Sequence, residues 1–180
     1  MDNSTNKTLE MTRLALLIAM NCISAYLIIP LPFSQSPIAL QTLIVNLVAF
    51  LLTPKQAFIT MFAYILIGLI GIPVFTGGTA GPAKIFGPTG GYIWGFLVAA
   101  VLIAWLKGKT YNFKRFALVG VIIGIPVIYL CGASHLKLLT GMNWPAVILT
   151  GVLPFIPLDI VQCLVAVVTA RPLYKIFNRG

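Results

Sequence analysis

Residues 116–131 read FALVGVIIGIPVIYLC, a run without a single charged side chain. The run lacks the strict alternation of a half-buried strand, so it favours a helix in an apolar environment. The rest of the chain is similar, because 59% of its residues are hydrophobic and only 8% are charged, against about 25% charged in an average soluble domain. Three acidic and twelve basic residues cannot cover a soluble globule of this size. The composition therefore predicts a small, all-α integral membrane protein.

Prolines, glycines and charged residues divide the chain into six apolar segments. Since a spanning helix needs about 20 residues, 180 residues allow about six spans and short loops in one domain, residues 1–180. The first helix is expected to stop at Pro30 and Pro32, and the last to be interrupted by Pro154 and Pro157. The predicted helices cover residues 9–29, 38–52, 56–70, 92–106, 116–131 and 145–169.

The basic residues predict the orientation of these spans. If both termini are cytoplasmic, ten of the twelve bases lie inside and only Lys84 and Lys137 lie outside. This bias matches the positive-inside rule and an even number of spans, as in a multi-pass protein of a bacterial plasma membrane. His135 is then expected to be a solvated residue of an outer loop. The bases sit at span ends and form no patch, which disfavours nucleic acid as a partner.

A segment rich in glycine and proline follows the third predicted helix. Residues 71–96 read GIPVFTGGTAGPAKIFGPTGGYIWGF, with seven glycines and three prolines between residues 71 and 91. Such a loop can fold closely over a small ligand and present backbone groups to it, while Phe75, Phe86, Tyr92 and Trp94 could wall an apolar pocket. We expect an extracellular lid over a ligand pocket. The alternative, a compact outer loop without a ligand, stays open.

The last predicted helix carries an acid, Asp159. An ionisable side chain inside a span is costly unless it is paired or faces water, so function is the default hypothesis. Gln162, three residues later, shares its helical face. Asp159 could instead only hold helices together, and Gln41, Thr42 and Asn46 in the second helix could serve either ligand or helix contacts. No cluster has metal-ligand spacing, so neither a metal site nor a cofactor is predicted.

Ala15 and Ala19 in the first helix are small residues four positions apart, flanked by bulky leucine and isoleucine side chains. In a membrane, small residues at this spacing let another helix approach closely. The pair therefore predicts a partner-binding face on the first helix.

These segments resemble the BioY family, the biotin-specific S components of energy-coupling factor (ECF) vitamin transporters. The resemblance covers nearly the whole chain. It is most specific at GPTGGY (residues 87–92), at LPFIPLD (residues 153–159) and at the AxxxA pair Ala15 and Ala19. The chain has Gln162 where the family pattern has a lysine, and Leu158 where the family usually has glycine.

The resemblance implies six helices, cytoplasmic termini and high-affinity capture of biotin from outside. It also implies that a coupling transmembrane subunit, docked at Ala15 and Ala19, and two ATPase subunits supply the energy, so the chain is not an enzyme. A pocket for biotin needs an acceptor for the ureido N–H groups, a donor for the carbonyl group and aromatic walls. The hypothesised ligand-binding residues are Asp159, Gln162, Tyr92, Phe75, Thr79, Gly78, Gln41 and Lys84.

Within this hypothesis, Asp159 accepts from the ureido N–H and Gln162 donates to the carbonyl group. Tyr92 and Phe75 pack on the rings, and Thr79 with the backbone at Gly78 adds hydrogen bonds. Lys84 or Lys137 attracts the ligand carboxylate. Two alternatives remain: a stand-alone proton-coupled transporter in which Asp159 cycles protons, and a membrane scaffold without a ligand.

Overall fold

The computed structural model describes residues 3–29 and 38–177, and in these ranges the chain is mainly helical, as predicted. A π-helical segment, Gly120–Gly124, joins the helices Phe113–Val119 and Ile125–Thr140 without a break. Two short strands, β1 (Ile28–Ile29) and β2 (Ile38–Ala39), form an antiparallel pair. The helices are α1 (Asn3–Ser24), α2 (Gln41–Leu51), α3 (Pro54–Leu69), α4 (Pro82–Ile85), α5 (Gly90–Leu106), α6 (Phe113–Val119), α7 (Ile125–Thr140), α8 (Trp144–Gly151) and α9 (Ile156–Phe177).

Two described helices are long and apolar enough to cross a membrane by length and composition, the continuous helix Phe113–Thr140 and α9. The apolar helices α2, α3 and α5 are shorter, with 11, 16 and 17 residues. Pro30 and Pro32, at which the first helix was expected to stop, lie outside the described residues. The helix itself ends at Ser24 rather than at residue 29, because the chain turns there into β1.

The fifth predicted helix extends further than expected, and this corrects the position of two residues. The helix continues past Cys131 to Thr140, so His135 and Lys137 lie on α7 and not in an outer loop. Residues 132–140 still bury Ala133 and Leu136, which pack with Val147 of α8. The helix ends only at Gly141, whose left-handed φ of 69° suits a residue without a Cβ.

The segment predicted as one interrupted last helix forms two separate helices. α8 ends at Gly151, a turn follows, and α9 begins at Ile156 and runs to Phe177 rather than stopping at residue 169. Pro157 falls in the first turn of α9, where proline is tolerated because that N–H has no partner within the helix. The break therefore separates the two helices instead of kinking one.

α2 lies at the centre of the fold. It packs against α1, α3, α5 and α9, and every residue of it except Leu43 is buried. Its carboxyl end is closed by Lys107, which follows α5 and is only 4% exposed. The Lys107 ammonium donates to the carbonyl groups of Phe50 and Leu52, both at 2.6 Å. A cation here satisfies carbonyl groups that the end of a helix leaves without partners.

α5 and α7 pack closely through glycines. A Cβ on Gly95 would lie 3.0 Å from the carbonyl oxygen of Ile128, and a Cβ on Gly132 would collide with the ring of Tyr92. A Cβ on Gly91 would collide with His135. Because no side chain separates the two helices here, they bring Tyr92 and Tyr129 to one region between α2 and α9.

Candidate functional site

A cavity lies where α2, α5, α7 and α9 meet under the segment of residues 71–89, which we call the lid segment. The cavity volume is about 60 Å³. One water needs roughly 10–15 Å³ on this measure, so the cavity has room for several. Its aromatic lining is Tyr92, Phe96, Tyr129 and Phe155, and its polar and charged lining is Gln41, Thr42, Thr76, Lys84, Thr89 and Asp159.

Asp159 is the acidic side chain of the cavity lining. It lies in the first turn of α9, and its side chain is 8% exposed. The hydroxyl of Tyr129 donates to Asp159 Oδ2 at 2.5 Å, and the side chain of Thr42 also interacts with this carboxylate. Hydrogen bonds to a charged acceptor are stronger than those between neutral groups. Asp159 is therefore held by helices on two sides while it faces the cavity.

Gln41, at the first turn of α2, ties the lid segment to the helices. Its Oε1 accepts a short hydrogen bond from the hydroxyl of Thr76, and its Nε2 donates to the hydroxyl of Tyr64 at 2.5 Å. That hydroxyl in turn donates to the carbonyl group of Val74 at 3.1 Å. The chain of hydrogen bonds runs from one part of the lid segment through α2 and α3 to another.

Backbone contacts also hold the lid segment. The amide of Gly77 donates to the carbonyl group of Ala25 at 2.9 Å, and the amide of Gly81 donates to that of Gly68 at 2.8 Å. Both lid glycines have positive φ, 79° and 85°, a conformation that other residues adopt at a cost. Nε2 of His135 lies 3.1 Å from the carbonyl oxygen of Gly87. These contacts explain why the segment folds down on the bundle.

Tyr92 and Lys84 complete the cavity wall. The ring of Tyr92 lies against Gly132 of α7, and its hydroxyl donates to the carbonyl group of Gly151 at 2.8 Å. Lys84 lies on α4 in the lid segment, and burial lowers the pKa of its ammonium. Within the described part of the lining, Lys84 is the one basic residue and Asp159 the one acidic residue.

Four of the eight residues predicted to bind ligand line this cavity: Asp159, Tyr92, Gln41 and Lys84. Gln162, Phe75, Thr79 and Gly78 lie outside the lining, and each has another contact. The amide of Gln162 bonds the backbone of β2 and α2. Phe75 is fully buried against Tyr64.

Thr79 and Gly78 of the lid segment contact other residues of the chain and do not line the cavity. The hydroxyl of Thr79 donates to the carbonyl group of Thr76 at 3.1 Å, and Gly78 lies against the ring of Tyr26. Lys137, the alternative base for a ligand carboxylate, lies over the ring of Trp144 at 4.6 Å. Asn46 is buried outside the lining and donates to the carbonyl group of Thr42 in its own helix.

Sequence reasoning missed Tyr129 as a site residue. Tyr129 is the one side chain with a hydroxyl in residues 116–131, and a lone hydroxyl in an apolar run would have been the signal. Thr89 and Phe155 were missed as well. Each lies just before a helix begins, where helical periodicity does not indicate which other element the side chain will face.

The predicted partner face lies on α1. Ala15 and Ala19 are both exposed, and Leu17 between them is buried at 2%. The small residues therefore point away from the bundle, where no other part of the described chain covers them.

A sequence model of the BioY family matches residues 1–179. The chain belongs to the BioY family. The resemblance inferred from the lid segment and from residues 153–159 is thereby confirmed.

BioY relatives match most of the chain. A biotin transporter BioY2 of Lactococcus lactis is 37% identical over 149 residues, 81% of this chain and 80% of its own length. A probable biotin transporter BioY of Pyrococcus horikoshii is 36% identical over 167 residues, 93% of this chain and 97% of its own. The chain thus belongs to a family of membrane transporters and is not an enzyme.

The fold is similar to that of a solved structure. The crystal structure of the S-component for biotin from an ECF-type ABC transporter has a TM-score of 0.89 and 31% sequence identity to this chain. The match covers 97% of this chain and 95% of that one. This BioY family member therefore has the fold of an S component.

Proposed function

We propose that this BioY family member binds biotin in the cavity under the lid segment and is the substrate-capture subunit of an ATP-driven uptake transporter. The observation that carries the proposal is the buried carboxylate of Asp159 facing a cavity with aromatic walls and a glycine-rich lid. A carboxylate in such a place accepts hydrogen bonds from a ligand's N–H groups without competition from bulk water.

The ureido group of biotin has two N–H donors and one carbonyl acceptor, and the lining offers a complement to each. Asp159 accepts from an N–H group, and the hydroxyl of Thr89 in the lid segment donates to the carbonyl group. Tyr92 and Phe96 pack on the apolar rings. Lys84 attracts the carboxylate of the tail, since it is the one cation in the described part of the lining.

The charge pattern and the family support a transport architecture for this chain. We propose six membrane spans with both termini in the cytoplasm of a bacterial cell, because ten of twelve bases then lie inside. The short helices α2, α3 and α5 complete the spans by packing inside the bundle. The exposed pair Ala15 and Ala19 is the docking face for a coupling transmembrane subunit, which with two ATPase subunits supplies the energy.

Binding of biotin to the detergent-purified protein, measured by calorimetry, tests the proposal. We expect Asp159→Asn to weaken binding by about 1–3 kcal/mol, a factor of about 5 to 150, because the charged acceptor is lost. The matched control is Glu10→Gln, the same change at an exposed acid of α1. Both variants are first compared with wild type by thermal unfolding.

Two results would overturn the proposal. One is wild-type protein that does not bind biotin. The other is an Asp159→Asn variant that binds biotin as tightly as wild type does, which would remove the carboxylate from the site.

A further inference from the structure

The amino end of α2 lacks a capping side chain of its own. The first N–H groups of a helix have no partner within it, and a polar residue at the N-cap usually accepts from one of them. Here the N-cap is Leu40, which makes no side-chain hydrogen bond. An N–H group left unpaired inside a membrane protein is costly. Another element must supply the acceptor.

Gln162 of α9 supplies it. Its Oε1 accepts from the amide of Leu43 at 3.0 Å, and its Nε2 donates to the carbonyl group of Ala39 at 3.2 Å. The side chain is 3% exposed. One carboxamide thus joins both ends of the corner formed by residues 39–43, where β2 turns into α2.

This corner carries part of the cavity wall. Ala39, Gln41 and Thr42 all line the cavity, and Gln41 also holds the lid segment through Thr76. Asp159 lies one turn before Gln162 on the same helix. We infer that Gln162 is a positioning residue. Its amide holds residues 39–43 in place relative to Asp159, and it does not contact the ligand.

The contact requires an acceptor and a donor at the tip of one side chain. A carboxylate in place of the amide keeps the acceptor for Leu43 but puts a negative oxygen against the carbonyl group of Ala39. A thioether, as in methionine, has no donor and only a weak acceptor. A protonated carboxyl group restores both, since it has one O–H donor and one carbonyl acceptor.

The inference rests on the proposed function, and Gln162→Glu tests it through the pH dependence of biotin affinity. At pH 8 we expect this variant to bind about tenfold more weakly than wild type. At pH 5.5 protonation of the new carboxyl group should return its affinity to within about threefold of wild type. The matched control, Gln162→Met, lacks both the donor and a strong acceptor, so it should be weak at both pH values.

Other titratable groups lie near this site, and wild type run in parallel corrects for them. They are Asp159 and Cys163 on α9, Tyr129 on α7 and Lys84 in the lid segment, while α2 has none. A residue with a merely structural role would lower the unfolding temperature of the variants without an affinity loss that acid reverses.

Hydrogen exchange of the Leu43 amide provides a readout that needs no ligand. Gln162→Met should expose this amide and raise its exchange rate at least tenfold over wild type. If wild type fails to bind biotin, the proposed function fails. The exchange rate of the Leu43 amide still tests whether Gln162 caps α2. The inference is overturned if Leu43 exchanges equally in both proteins, or if Gln162→Glu binds as wild type does at pH 8.

Discussion

Gly91→Ala tests the close approach of α5 and α7, which forms one wall of the cavity. The added methyl group would lie 2.6 Å from the carbonyl oxygen of Cys131 and collide with the Cβ of His135. An ordinary Cβ contact begins near 3.4 Å, and the contact with the Cβ of His135 would be 2.3 Å, so the helices must separate locally by about 1.1 Å. A separation of this size falls in the upper part, about 2–3 kcal/mol, of the usual cost of overpacking. The gain from replacing glycine in a helix offsets about 1 kcal/mol of it, which leaves a net loss of about 1–2 kcal/mol.

We therefore expect Gly91→Ala to unfold about 2–8 °C below wild type in detergent, using about 2–4 °C per kcal/mol for a chain of this size. Biotin affinity should fall too, because Tyr92 and Tyr129 line the cavity from these two helices.

The matched control for this change is Gly124→Ala. Its methyl group would lie 2.5 Å from Cδ1 of Ile103, the end of a side chain that can rotate away. This variant should unfold within about 2 °C of wild type. Equal unfolding temperatures for wild type and Gly91→Ala would refute the close helix approach.

Two further predictions concern the partner face and the centre of the fold. Ala15→Trp should abolish co-purification with the coupling and ATPase subunits while biotin still binds. The control Leu118→Trp, equally bulky but on the exposed side of α6, should assemble normally. If Ala15→Trp instead loses biotin binding but still assembles, the docking face is contradicted. Lys107→Met should destabilise the protein by about 1–3 kcal/mol in thermal unfolding, because two buried carbonyl groups at the end of α2 lose their donor. Lys109→Met, at an exposed base, should change stability by less than about 0.5 kcal/mol; equal losses in the two variants would refute the buried cap.

The sequence predicted the helical class, the break at the glycine-rich segment, and an acid in the last helix, Asp159, which lines the cavity in the structure. These features depend on composition and on residues whose effect is local. A carboxylate in an apolar helix is conspicuous whatever surrounds it, and a run of glycines and prolines interrupts helices in any fold.

Helix ends were predicted less well, because packing decides them. Residues 132–140 contain polar residues and so read as a loop, yet they stay helical since Ala133 and Leu136 find an apolar partner in α8. The last segment divides into α8 and α9 because the turn at residues 152–155 lets both helices pack separately against α7.

The partners of the polar side chains were decided only by tertiary structure. Helical spacing correctly puts Asp159 and Gln162 on one face of α9, but the elements opposite that face come from distant parts of the chain. Asp159 meets a cavity and the hydroxyl of Tyr129, while Gln162, one turn away, meets the uncapped start of α2. Periodicity determines which side chains share a face, whereas long-range packing determines whether that face meets a ligand chamber or another backbone.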